Sequence, residues 1–279
     1  MEKLHRAVLS LVLAFLVLTL FTGVKATALK EQLFITIKIN GQPVFTDTNP
    51  YIKQNRTFVP IRFIAESFNM EVLWEQEEKK ATVKYDDLVL EVWIGSNKFL
   101  VNGEEKIMDV EVEGVNGRTM VPVRYFAEAL DCSVDWNYMT ASVEIIKEGA
   151  EIPASSIFHR SYTDEDIIWL ARIVHVEGHG LSIRGKVAIA NVVLNRVKSP
   201  DFPDTVYDVI FDKQHGKQFP PAHRESFPEL IPDLSCVIAA KMALERINNI
   251  DNCLYFNHVP FHGKSKDLYM VIDGEYFYY

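Results

Sequence analysis

Trp169-Leu-Ala-Arg-Ile-Val-His-Val-Glu177-Gly-His-Gly180 is an apolar run that closes on a carboxylate and then on glycines. Leu170, Ile173, Val174 and Glu177 recur at i, i+3, i+4 and i+7, the spacing of one helix face. Glu177 therefore lies on the apolar side of a helix, at its end. Apolar surroundings disfavour the charged form of a carboxyl and raise its pKa. Such a carboxyl can deliver a proton near neutral pH. The plain alternative is a helix-end glutamate that reaches out to water.

Outward from this run the pattern is mainly helical. Thr163-Asp-Glu-Asp166 opens the helix as a capping box, and Gly178 closes it, so the spacing predicts a helix over Asp164–Glu177. Ser182 can cap a second helix over Ile183–Lys198, broken by Ser199-Pro-Asp-Phe-Pro203. A short helix follows over 205–211, then a long polar loop over 212–230 with Gln218 and Phe219 at its centre. Loops of that length inside compact domains are often functional. Another helix is expected over 232–247, Tyr255-Phe256-Asn257 as strand or loop, and a closing hairpin turned at Asp273-Gly274. Residues 163–279 thus read as one domain, and 148–162, with Gly, Pro and Ser and no periodicity, as a linker.

The first half contains a duplication. Arg56-Thr-Phe-Val-Pro-Ile-Arg-Phe-Ile-Ala-Glu66 returns 62 positions later as Arg118-Thr-Met-Val-Pro-Val-Arg-Tyr-Phe-Ala-Glu128. From Arg56 to Trp74, nine of 19 aligned positions are identical, and Asn40-Gly41 returns as Asn102-Gly103. This marks a repeated supersecondary unit of β-hairpin, helix and β-hairpin. The helix is expected over 59–68, with its proline near the first turn. Arg62 with Glu66, and Arg124 with Glu128, stand four apart and are expected to pair along their helices. Residues 30–147 form this two-repeat module, and the whole chain is α+β.

Lys3, His5 and Arg6 precede an apolar run from Ala7 to Phe21, followed by small-residue sites around Val24-Lys-Ala26 and Ala26-Thr-Ala28. Residues 1–28 read as a secretory signal peptide, with an uncleaved anchor as the alternative. The expected location is secreted or in a Gram-positive-type envelope, the spore included, with membrane contact only if that segment stays uncleaved. A net charge of −9 argues against a nucleic-acid partner. Three cysteines cannot form a disulfide framework; at most Cys236 and Cys253 pair, and packing as small apolar residues is the simpler expectation.

Two resemblances follow from these residues. The duplicated R-T-x-V-P-x-R-x-x-A-E core resembles the copper amine oxidase N-terminal-like stalk domain of exported Gram-positive proteins. It implies a module that binds or spaces an envelope component; no His/Cys set for copper is present. Leu170 to Gly180, then Gly185-Lys-Val-Ala-Ile-Ala-Asn-Val-Val-Leu-Asn-Arg-Val197, Ser199-Pro-Asp-Phe-Pro203, Gln218-Phe219 and Tyr255-Phe256-Asn257 resemble the spore cortex-lytic cell wall hydrolase family. That resemblance implies a lysozyme-like helical domain that cleaves the glycan strand of peptidoglycan or spore cortex. Glu177 then stands at the catalytic glutamate.

The chemistry agrees with the residue reading. A glycosidic oxygen leaves poorly until protonated, and a buried neutral glutamate supplies the proton. A hydrolase needs a second carboxylate; Asp212, Glu225 and Glu229 are only candidates, which favours a lytic transglycosylase, where the muramic hydroxyl attacks internally. Gln218 is expected to bond a sugar acetamide or orient Glu177. Phe219, Tyr255 and Phe256, with Asn257, are expected to hold sugar faces, or else to fill the core. Asn195 is either a polar group beside the site or a cap. His175 and His179 are expected to line the cleft and tune Glu177, with no metal or other cofactor. The rivals are a zinc-dependent hydrolase using His175 and His179, and a non-catalytic peptidoglycan-binding wall protein.

Overall fold

The computed structural model describes residues 34–214, 216–263 and 265–279. The proposed signal segment lies outside them. No helix among the described residues is long and apolar enough to cross a membrane.

The first repeat holds β1 (Thr36–Ile39), β2 (Gln42–Pro43), β3 (Tyr51–Lys53), β4 (Arg56–Pro60), helix α1 (Ile61–Glu66), β5 (Glu71–Glu75), β6 (Lys80–Tyr85) and β7 (Leu88–Trp93). The second holds β8 (Lys98–Val101), β9 (Glu104–Ile107), β10 (Glu113–Val115), β11 (Arg118–Pro122), helix α2 (Val123–Ala129), β12 (Ser133–Asn137) and β13 (Ser142–Ile146). Asn40 and Gly41 sit at φ 47° and 79°, and Asn102 and Gly103 at 51° and 82°, so both Asn-Gly turns take the left-handed conformation that tight hairpins require.

The repeats are not beads on a string. β4 pairs antiparallel with β11, and Val59 faces Val121, its own counterpart, which places a local two-fold axis there. β1 pairs in parallel with β13, so the opening hairpin of one repeat completes the closing sheet of the other, in the order β12-β13-β1-β2. The same exchange governs charge. Arg56 bonds Asp109 and Arg118 bonds Asp47, each reaching the carboxylate of the other repeat. The expected Arg62–Glu66 and Arg124–Glu128 pairs are not among the ion pairs of the described residues. Each helix is under two turns, and Val59 and Pro60 belong to β4 because the β11 pairing claims them.

The second half contains α3 (Asp164–Glu177), α4 (Ile183–Lys198), α5 (Val206–Phe211), α6 (Leu234–Leu244) and a sheet of β14 (Tyr255–Asn257), β15 (Leu268–Ile272) and β16 (Glu275–Tyr278) in the order β14-β16-β15. Thr163 caps α3 in a complete capping box with Asp166, and Ser182 caps α4 through the Gly185 N–H. Leu170, Ile173 and Val174 of α3 bury fully against α4 and α6. The long polar stretch is pinned by three buried apolar side chains, Phe219, Ala222 and Phe227. All three cysteines are free and buried, so Cys236 and Cys253 pack rather than pair.

Residues 33–279 form one compact unit. Ala141, from the end of the module, is a member of the helical core, and Phe34 and Trp136 pack against it. Lys241 of α6 donates to Thr36 Oγ1 at 2.8 Å and to the carbonyls of Thr140 and Ala141 at 2.9 and 3.0 Å. Lys38 of β1, 4% exposed, bridges Glu144 and Asp164.

Candidate active site

Glu177 is the last residue of α3, held on the helix side that Leu170, Ile173 and Val174 bury. The helix must stop there. A Cβ on Gly178 would lie 2.8 Å from the Val174 carbonyl, so only glycine lets the chain turn at this point. Glu177 Oε1 is buried and has no hydrogen-bond partner among the described residues. Burial, reinforced by the nearby Glu275 carboxylate and opposed by Arg224, raises the Glu177 pKa above the usual carboxylate range. A buried carboxyl oxygen without a protein partner is placed to exchange a proton with a ligand.

The cleft in front of it, about 300 Å³, brings together Glu177, Gln218, Phe219, Tyr255, Phe256 and Asn257. These come from a helix end, the long loop and strand β14, three elements far apart in the chain. Arg196 is the hub that joins them. It is buried, with Nε donating to the Leu254 carbonyl at 2.8 Å and a second nitrogen to Gln218 Oε1 at 3.2 Å. Its guanidinium lies 5.0, 5.1 and 5.6 Å from the ring centres of Phe202, Phe219 and Tyr255. Burial pulls its pKa down to about 10, so it stays charged at neutral pH. Arg196 therefore orients Gln218 and braces the aromatic wall. Phe219 is 1% exposed, so it serves that wall more as packing than as an open face.

Besides Arg196, three residues that the sequence does not single out complete the cleft, Glu275, His258 and Phe261. Glu275, at the start of β16, lines it opposite the helix end, and burial raises its pKa while His258 opposes the shift. Phe261 also lines it. Glu275 is held in place through its neighbour Asp273, whose Oδ2 accepts from the Ser182 N–H at 3.0 Å and from Ser182 Oγ at 2.5 Å. The terminal hairpin is thus clamped to the start of α4, just past Glu177. The sequence predicts this hairpin, turned at Asp273-Gly274, but no spacing rule links it to Glu177.

Three expected cleft residues, Asn195, His175 and His179, are not among those that line it. Asn195 is 6% exposed and its amide donates to the carbonyls of Asp251 and Cys253, so it ties down the 251–253 turn. His175 sits two residues before Glu177, and two residues turn a helix by about 200°, which carries the ring to the opposite side. There His175 Nδ1 accepts from the Asp233 N–H at 3.2 Å. The groups that shift Glu177 are Glu275 and Arg224, not the histidines. Asp212 is buried and close enough to support the charge of Arg196, and it is not among the cleft residues. His175, Asp233 and Cys236 offer metal-type donor atoms within 4.8 Å of one another, while the His179 side chain is 74% exposed at the edge of that group.

Fold and cleft together define a two-module protein, a duplicated β-rich module joined to a helical domain that carries the cleft. The Copper amine oxidase N-terminal domain model matches residues 38–145, and the Cell Wall Hydrolase model matches residues 180–278, beginning three residues after Glu177. Among curated proteins, the chain is 42% identical over 67 residues to a spore cortex-lytic enzyme of Halalkalibacterium halodurans, covering 24% of this chain and 18% of that protein. It is 47% identical over 51 residues to the spore cortex-lytic enzyme of Bacillus subtilis, covering 18% and 17%. The chain thus spans under a fifth of the length of these relatives. A solved catalytic domain of a germination-specific lytic transglycosylase from Bacillus anthracis aligns over 44% of this chain and 100% of its own, at 29% identity and a TM-score of 0.38.

Proposed function

We propose that the chain is an exported enzyme that cleaves the glycan strand of peptidoglycan or spore cortex, with Glu177 as general acid. The observation that carries this reading is the buried, partnerless Oε1 of Glu177 facing a cleft of amide, aromatic and carboxylate side chains. The similarity to spore cortex-lytic enzymes supports the substrate class. In the reaction, protonated Glu177 gives its proton to the glycosidic oxygen as the bond breaks. In a lytic transglycosylase the same carboxylate then takes the proton of the muramic C6 hydroxyl, which closes the anhydro ring. Gln218, fixed by Arg196, orients the acetamide or Glu177 itself, and Tyr255, Phe256 and Asn257 hold the sugar. The module at 38–145 holds an envelope component.

Glu275 favours a second reading, in which it activates water and the product is a hydrated reducing end. Glu275 fills the role that the sequence left without a clear candidate. One experiment separates the two. Cortex and vegetative peptidoglycan are digested with the chain, with Glu177→Gln and with Glu275→Gln, and fragment ends are read by mass spectrometry. Anhydro ends that vanish only with Glu177→Gln support the transglycosylase. Hydrated ends that vanish with both variants support the hydrolase. Binding without any fragments would overturn both in favour of a wall adaptor.

A further inference from the structure

The duplication leaves a surface feature that the core does not explain. Among the nine repeated identities, Val59 with Val121 and Ala65 with Ala127 are buried core residues. Most of the others gather around two grooves related by the local two-fold axis. One, about 560 Å³, is lined by Pro60, Arg62, Val72 and Trp74 of the first repeat and Arg118 and Thr119 of the second. The other, about 600 Å³, is lined by their counterparts Pro122, Arg124, Val134 and Trp136 with Arg56 and Thr57.

The two grooves have diverged. In the second, Glu128 and Asp135 join the lining, and Trp136 packs against both the module core and the helical core. Its indole is occupied by the seam between the two halves. In the first, no Asp or Glu among the described residues lines the groove, while Arg62, Lys79 and Arg118 do. Arg118 is paired with Asp47, but Arg62 and Lys79 are exposed and enter no ion pair among the described residues. Trp74 is 37% exposed on the edge strand β5, and its Nε1 donates to Gln76 Oε1 at 2.8 Å, which fixes the plane of the ring. On a chain of net charge −9, a lining with three cations and no carboxylate runs against the general trend.

We propose that the Trp74 groove is a second glycan-binding site, which takes a carboxylate-bearing peptidoglycan strand. The indole offers a flat apolar face to a sugar ring, and Arg62 and Lys79 offer charge-assisted hydrogen bonds to a peptide carboxylate beside it. The choice of polymer rests on the reading of the Glu177 cleft as a glycan-cleaving site. One polymer then meets both sites, so the second contact is made at high effective concentration and holds the enzyme on its insoluble substrate.

The test uses the full chain carrying Glu177→Gln, so that the polymer survives, in sedimentation with peptidoglycan sacculi stripped of teichoic acid. Adding Trp74→Ala should weaken the apparent affinity about tenfold, a loss of about 1.4 kcal/mol. Arg62→Gln should weaken it and flatten its salt dependence, with the thermal midpoint unchanged for both. Affinity equal to the parent in both variants overturns the proposal. So does Trp74-dependent binding that appears only when teichoic acid is left on, which would assign the groove to a phosphate polymer. Trp74-dependent binding to stripped sacculi, alongside a Glu177-intact chain that cuts nothing, would keep the groove and sink the reading of the cleft.

Discussion

The carboxyl of Glu177 combines burial, a like charge nearby and an oxygen with no hydrogen-bond partner among the described residues. Its Gln variant keeps the shape and loses the proton, so turnover should fall about 10³-fold with an unchanged circular dichroism spectrum. The thermal midpoint should hold or rise, because a neutral amide is easier to bury than a carboxylate. The raised pKa has a direct kinetic sign. The acid works protonated, so kcat/KM should fall as pH rises through the Glu177 pKa. Glu275→Gln removes a negative neighbour, lowers that pKa and should move the alkaline limb to lower pH. A pH profile in which the limb stays put would separate Glu275 from Glu177. The burial of Glu177 at the end of an apolar helix face was legible because such a face has a fixed period. Glu275 and Arg196 were not, because the cleft is assembled by a terminal hairpin and a loop whose approach no local period encodes. His175 stands two residues before Glu177 and so points about 200° away around the helix, which closeness in sequence does not reveal.

Among the elements, the helices α3 and α4 were readable end to end, because each carries its own cap and an apolar stripe. The strands of the module were readable as hairpins, yet their exchange between repeats was not, because the pairing of β1 with β13 joins the two ends of the module. The element that matters most for the cleft is the terminal hairpin, held by Asp273 on Ser182. Close packing sets the tolerance of that clamp. A Cβ on Gly185 would lie 2.5 Å from Asp273 Oδ2. Gly185→Ala should therefore push Asp273 off the start of α4 and cost about 1–3 kcal/mol in chemical denaturation. Because Glu275 and β14 ride on the same sheet, activity should fall beyond what the lost stability explains at a temperature where the variant is fully folded. Asp273→Ala, which opens the same clamp without a clash, should reproduce the activity loss. A variant pair that loses stability alone would show that the hairpin does not position the cleft.

At the scale of the whole molecule, the module and the helical half share a buried seam, and Lys241 is its most demanding residue. It is 2% exposed, with its ammonium group directed at Thr36 and at the Thr140 and Ala141 carbonyls. Burial and the neighbouring charges of Arg160 and Lys38 pull its pKa from 10.5 down to about 7, despite those three acceptors and the opposing carboxylates of Asp164 and Glu245. A lowered lysine pKa means that the folded state binds fewer protons than the unfolded chain between pH 7 and 10.5. Stability from this group therefore rises with pH across that window, by up to about 1.4 kcal/mol per pH unit, and is flat below it. Lys241→Met fills similar volume without the charge. The difference in unfolding free energy between the parent and this variant should thus change with pH above neutrality and stay constant below it. If the same seam couples the two halves energetically, calorimetry of residues 33–279 should show a single transition in the parent. Two transitions, with a Lys241 effect confined to one of them, would mean that the halves melt independently and that the seam is a contact without energetic coupling.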